Sequence, residues 1–82
     1  MNKKFTNDLI GMQVVSTGGQ LVGKLDDFVF ETDTGALENL LVTPAGDLKF
    51  TELKTDNGGR YIISIRKLKS VQDVIVVDIP KI

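Results

Sequence analysis

The stretch "STGGQLVGKLDDFVFETDTGALENLLVTPAGD", Ser16 to Asp47, decides the fold class. It contains three turn signals, STGGQ (16–20), ETDTGA (31–36) and TPAGD (43–47), and a fourth follows at TDNGGR (55–60). Gly, Asn and Asp supply the left-handed backbone that tight turns need. Six of the eight glycines fall in these four segments. Between them lie short runs rich in Val, Ile, Leu, Phe and Thr, and no stretch sustains a helical period. Short strands at even spacing mean an all-β sandwich or barrel, and 82 residues make that a small, single-domain barrel over 1–82.

Working outward, strands are expected at 13–16, 21–31, 36–42, 61–64 and 74–79. Asn57-Gly58 is the strongest hairpin signal. Residues 7–10 are expected to form a short turn and 65–69 a polar crossover. Segment 48–54 is open between a strand and an irregular excursion with one helical turn. Within 21–31, Leu21, Gly23 and Leu25 share one parity and Phe28 and Phe30 the other, so a regular strand cannot bury both sets. An extra residue near Asp26-Asp27 reconciles them as a β-bulge that bends the strand. Gly23 suits a close backbone approach in that strand.

The closing part of the chain, Tyr61 to Ile79, is apolar on both faces. Ile63, Ile75, Val77 and Ile79 are assigned to the core, because Asp78 marks the opposite face as outer. Ile62, Val74 and Val76 are then left on an outer wall, on two strands taken as neighbours. Three apolar groups on one wall form a patch, and each is worth roughly 1.5–3 kcal/mol when fully covered. A dimer or partner interface built on Ile62, Val74, Val76 and Asp78 follows. A thin core with no cysteine and no histidine for a disulfide or zinc staple makes oligomerisation the remaining common support.

The composition argues against catalysis. Without histidine the usual proton-transfer group near neutral pH is absent, and without cysteine there is no thiolate nucleophile. No catalytic, cofactor or metal residue is assigned. Asp26, Asp27, Glu31 and Asp33 fail the spacing of an EF-hand loop and read as a solvated acidic edge that discourages aggregation. Gly18 to Lys24 nearly fits a phosphate loop, but Leu25 replaces the required hydroxyl and the run leads into strand-type residues, so it reads as a hairpin. Arg66, Lys67 and Lys69 form a polar contact edge. No aromatic residues are interleaved with them for base stacking, and the single tyrosine lies at a core-like position.

Net charge is −1 and the sequence pI is about 5.2, which argues against a general nucleic-acid binder. Residues 1–41 carry three basic and six acidic side chains, and 42–82 seven and five. Scatter over a solvated surface is the plainer reading of that asymmetry. The start MNKKFTNDLIGM has no apolar run after its lysines, so neither a secretory signal nor a transit peptide is expected. The longest apolar run, 74–77, is far too short to span a bilayer. A soluble, cytoplasmic protein is the expectation.

The order of these pieces resembles a PRC-barrel domain, from Leu9 to Val77. The front half is IGMQVV (10–15), GQLVGKLDD (19–27), then TGAL (34–37) leading into Leu40-Leu41-Val42. The back half is GRYII (59–63), Leu68, Val71 and DVIVV (73–77). Many members carry a proline near the position of Ile63 or Ser64, and its absence here leaves the end of the fifth strand open. The resemblance implies a six-stranded, SH3-like β-barrel without catalytic residues or cofactors, serving as a binding or scaffold module. Relatives include the C-terminal domain of a ribosome maturation factor and the cytoplasmic part of the photosynthetic reaction-centre H subunit. Small stand-alone archaeal proteins, the type most similar to this chain, also belong. Some of these act in cell division, linking the membrane anchor SepF to the FtsZ ring, and tend to dimerise. A homodimeric adaptor follows, with cell-division components as partners and the membrane reached only through them. The alternative is an RNA- or ribosome-associated module using Arg66, Lys67 and Lys69. Salt-tolerant association lost on Val76→Asp fits the adaptor; salt-sensitive RNA binding lost on neutralising the three basic residues fits the alternative.

Overall fold

The computed structural model describes residues 8–79. The expectations for 1–7, including the leaderless start and the first residue of the 7–10 turn, lie outside them. Seven strands follow in order: β1 (Gln13–Ser16), β2 (Leu21–Phe30), β3 (Leu37–Pro44), β4 (Lys54–Thr55), β5 (Tyr61–Ser64), β6 (Leu68–Val71) and β7 (Ile75–Val77). A 3-10 turn, Ile65–Lys67, links β5 to β6. All seven join one sheet in the order β4-β5-β3-β2-β1-β7-β6. The all-β, barrel-like architecture is as expected, with seven strands rather than six and with the sheet not closed. Beyond the five strands placed from the sequence, the two-residue β4 begins only at the end of the open 48–54 segment, and β6 forms where the sequence reading expected a crossover. Neighbouring pairs are antiparallel except β1 and β7, which run parallel.

The turns obey the glycine signals. The β4–β5 hairpin is the instructive case, because its left-handed residue is Gly59 (φ +84°), one place beyond the expected Asn-Gly pair. The Asp56 carboxylate accepts hydrogen bonds from the Gly58 and Arg60 backbone N–H groups, at 2.9 and 2.8 Å, and so fixes a three-residue loop. The open end of β5 is also settled locally. Ser64 caps the 3-10 turn, its Oγ accepting the Arg66 N–H at 3.2 Å, so hydroxyl chemistry closes the strand in place of proline.

β2 carries the bulge expected of it. Leu25 pairs with Val42 and Asp27 with Leu41, so Asp26 is the extra residue. A second shift, opposite Val14 and Val15, brings Val22 fully into the core and leaves Leu21 half-buried. A third lies between Val29 and Phe30, where Glu38 of β3 is the extra residue and β2 itself stays regular. Phe28 packs against the core as expected, but Phe30 is 48% exposed. Phe30 keeps the parity of Phe28, its ring 6.2 Å away, yet stands at the last position of β2, where the strand runs out of core to cover it.

One core lies inside the curl of the sheet. Val14, Val22, Leu25, Leu40, Val42, Ile63, Ile75, Val77 and Ile79 are buried, among them the four residues, Ile63, Ile75, Val77 and Ile79, that the sequence assigned to the core. Phe50 joins them from the connection between β3 and β4, which is an irregular excursion with a turn at 51–53 and no strand of its own before Lys54. The Phe50 ring meets Tyr61 edge-on at 6.1 Å, and the Phe50 backbone N–H donates to the Tyr61 hydroxyl at 3.1 Å. Tyr61 thereby anchors a loop across the end of the core with both its ring and its polar tip.

Candidate functional site

The sheet order separates the residues assigned to one outer wall. Ile62 is on β5 and Val76 on β7, with β3, β2 and β1 between them. The two strands are therefore not neighbours, because β7 pairs with β1 in parallel and with the added strand β6. Val74 is not in a strand; it closes the bend before β7, where its carbonyl accepts the Gln72 N–H at 3.1 Å. Ile62, Val74 and Val76 are each half-buried, and Asp78 is exposed.

Each of the separated residues has new neighbours. Val76 pairs with Val15 of β1, and Val15 pairs with Leu21 of β2, so three half-buried apolar residues form a strip across β7, β1 and β2. Ile62 pairs with Leu41 on one side and with exposed Lys54 on the other. Asp78 continues the chain beyond β7, its N–H donating to the Lys67 carbonyl at 2.6 Å.

The basic residues remain close to one another. Arg66 and Lys67 lie on the 3-10 turn and Lys69 on β6, an edge strand, and all three are exposed. None forms an ion pair with another described residue. The acidic group is placed differently from expectation. Asp26 and Asp27 are exposed, as expected, but they sit on β2, the central strand of the sheet, and so do not mark a sheet edge. Asp26 instead accepts a charge-assisted hydrogen bond from Arg60, and no cluster of three carboxylates that could hold a metal occurs among the described residues. The Ser16–Lys24 segment is the β1–β2 hairpin, in which the Ser16 Oγ accepts the Gln20 N–H at 3.1 Å.

A feature the sequence reading missed lies at the end of the sheet formed by the β2–β3 hairpin. A cavity of about 250 Å³ opens there, walled by apolar side chains alone, among them Phe28, Leu37, Leu40, Ile65, Leu68 and Val71. Its rim residues are half-buried. A signal for it was present, because Ile65, Leu68 and Val71 recur at three-residue spacing among the charges of the connector. On the far side of Leu37 and Ile65 runs a polar groove with Glu31 and Glu38 on the hairpin side and Arg66 opposite.

Among the described residues no helix is long and apolar enough to cross a membrane. The PRC-barrel domain family matches residues 1–82. The chain is also similar to the uncharacterized protein MJ1118 of Methanocaldococcus jannaschii, with 27% identity over 78 residues, 95% of this chain and 84% of that protein.

Proposed function

Since this chain belongs to the PRC-barrel domain family, we propose that it is a non-catalytic protein-binding adaptor, homodimeric, with a place in archaeal cell division. The observation that carries the binding role is the amount of apolar surface the fold leaves partly open. The Val15–Leu21–Val76 strip and the cavity beneath the β2–β3 hairpin are separate patches on a small domain. Patches of this kind mark contact sites rather than reaction sites when few polar groups converge on them. Val74 and Asp78, at the two ends of β7, flank the strip and belong to the same proposed contact, with Ile62 as a smaller point on another side.

The cell-division role draws on the likeness to small stand-alone archaeal members and on the archaeal relative. Affinity capture of the tagged protein from native cells tests it. Recovery of SepF or FtsZ, reduced by Val76→Asp and insensitive to salt, is the expected result. Recovery of ribosomal proteins or RNA instead, falling with salt and with neutralisation of Arg66, Lys67 and Lys69, overturns it.

A further inference from the structure

We infer that the apolar cavity below the β2–β3 hairpin is the seat of a twofold self-association, in which Phe30 of one copy enters the cavity of the other. The inference rests on the homodimer reading above and assigns that dimer a surface, leaving the Val76 strip for a different partner.

The cavity is suited to a ring. Its volume of about 250 Å³ exceeds the roughly 150 Å³ in which an apolar cavity accepts benzene, and its walls hold no polar atom to satisfy a water. The matching group stands at its rim. Phe30 is 48% exposed, more than any other large apolar side chain among the described residues. It pairs with Leu37 and its ring lies 6.2 Å from that of Phe28, and both of these residues wall the cavity. Phe30 ends β2 on the same face as Phe28, so the projecting ring and the receiving hollow share one patch. An isologous contact requires that arrangement, since the same patch must both give and receive.

The charges beside the cavity suit the same symmetry. Glu31 and Glu38 line one side of the adjoining groove and Arg66 the other, with Lys67 next to it. A twofold axis through this patch sets the acidic hairpin of each copy against the basic 3-10 turn of its partner, at both ends of the contact. Complementary charge at the rim fixes orientation, and a buried aromatic at the centre supplies affinity.

Sedimentation equilibrium on the full chain tests this. The protein is expected to dimerise, with Phe30→Asp raising the dissociation constant at least about thirtyfold, the mark of a hot-spot aromatic. The variant keeps its circular dichroism spectrum, while its thermal midpoint falls toward that of dilute wild type and loses its dependence on protein concentration, because the dimer no longer stabilises the fold. Val76→Asp leaves the dimer intact. Glu38→Lys and Arg66→Glu each weaken self-association, and a mixture of the two variants restores it as a one-to-one heterodimer. A dimer that survives Phe30→Asp but is lost on Val76→Asp overturns the assignment of the cavity and leaves the homodimer reading standing. Failure of the two charge variants to rescue each other overturns the twofold arrangement. A wild-type chain that stays monomeric at millimolar concentration overturns both.

Discussion

The Arg60 Nη1 lies 2.6 Å from the Asp26 Oδ2, tying the β4–β5 turn to the bulge of β2 across 34 positions of sequence. The same guanidinium donates through Nε to Asp56 at 2.7 Å, so one arginine joins two carboxylates from different hairpins. The Arg60 backbone N–H does most to hold the Asp56 carboxyl below its ordinary value of 3.8, against an opposing desolvation and with help from the guanidinium and the Gly58 N–H. A carboxylate with a depressed value binds fewer protons folded than unfolded. Its stabilisation is complete above the ordinary carboxylate value and disappears as pH falls through the lowered one. Asp56→Asn keeps an acceptor for the turn but removes the charge. Its thermal midpoint should lie below wild type at pH 7, and the two curves should converge as pH falls below the ordinary carboxylate value and through the lowered one. Parallel curves over that window contradict the assignment.

Gly23 is a second point where the outcome hangs on one atom. A Cβ there would stand 2.0 Å from the Thr43 carbonyl oxygen and 2.9 Å from the Val42 Cγ1, inside the core. The first contact is with backbone, which has no rotamer to escape into. Gly23→Ala should destabilise by about 1–3 kcal/mol or more, as overpacking does. Gly58→Ala, whose added atom meets nothing closer than 3.6 Å, should cost far less. Urea unfolding of the pair is the measurement, and equal midpoints for the two variants contradict the close approach.

Gly23 and the Asp26 bulge were both legible from β2 alone, because a parity conflict and a mid-strand glycine are local signals. So was the core face of the last strand, where Asp78 among five apolar residues breaks the symmetry. The neighbourhood of Ile62 and Val76 was not legible. Which strands lie side by side depends on the parallel pairing of β1 with β7, a contact between chain ends that no short window encodes. Phe30 was misread for a different reason: its alternation is right, but it ends β2, and how far the core extends along a strand is not written in the strand's own pattern. The cavity escaped because its walls come from β2, β3, the 3-10 turn and β6 together.

Phe50 and Tyr61 offer a test of how the irregular 45–53 connection is held. Phe50 is 1% exposed and Tyr61 6%. Phe50→Ala removes a ring from a packed core and should cost about 3–5 kcal/mol. Tyr61→Phe keeps the ring but removes the acceptor for the buried Phe50 N–H, and an orphaned donor costs about 1–3 kcal/mol. Amide exchange at Phe50 should accelerate in Tyr61→Phe while protection in β1 and β2 persists. Uniform loss of protection across the sheet would mean that the loop and the core open as one unit.

The separation of Ile62 from Val76 sets the last expectation. Their strands stand four positions apart in the sheet order, roughly 19 Å along the curl at the usual strand spacing. A compact partner seated on the Val15–Leu21–Val76 strip therefore does not reach Ile62. Val76→Asp should abolish capture of that partner, because a carboxylate placed among apolar strip residues must be desolvated on binding. Its effect on folding should stay near 1 kcal/mol, the span of strand preferences at a half-buried site. Ile62→Asp should cost a similar amount in stability and leave capture unchanged. Each variant needs only two readings, a urea midpoint and a binding isotherm against the captured partner. If Ile62→Asp abolishes binding as completely as Val76→Asp, the partner wraps the sheet rather than docking on the strip, and the two patches act as one surface.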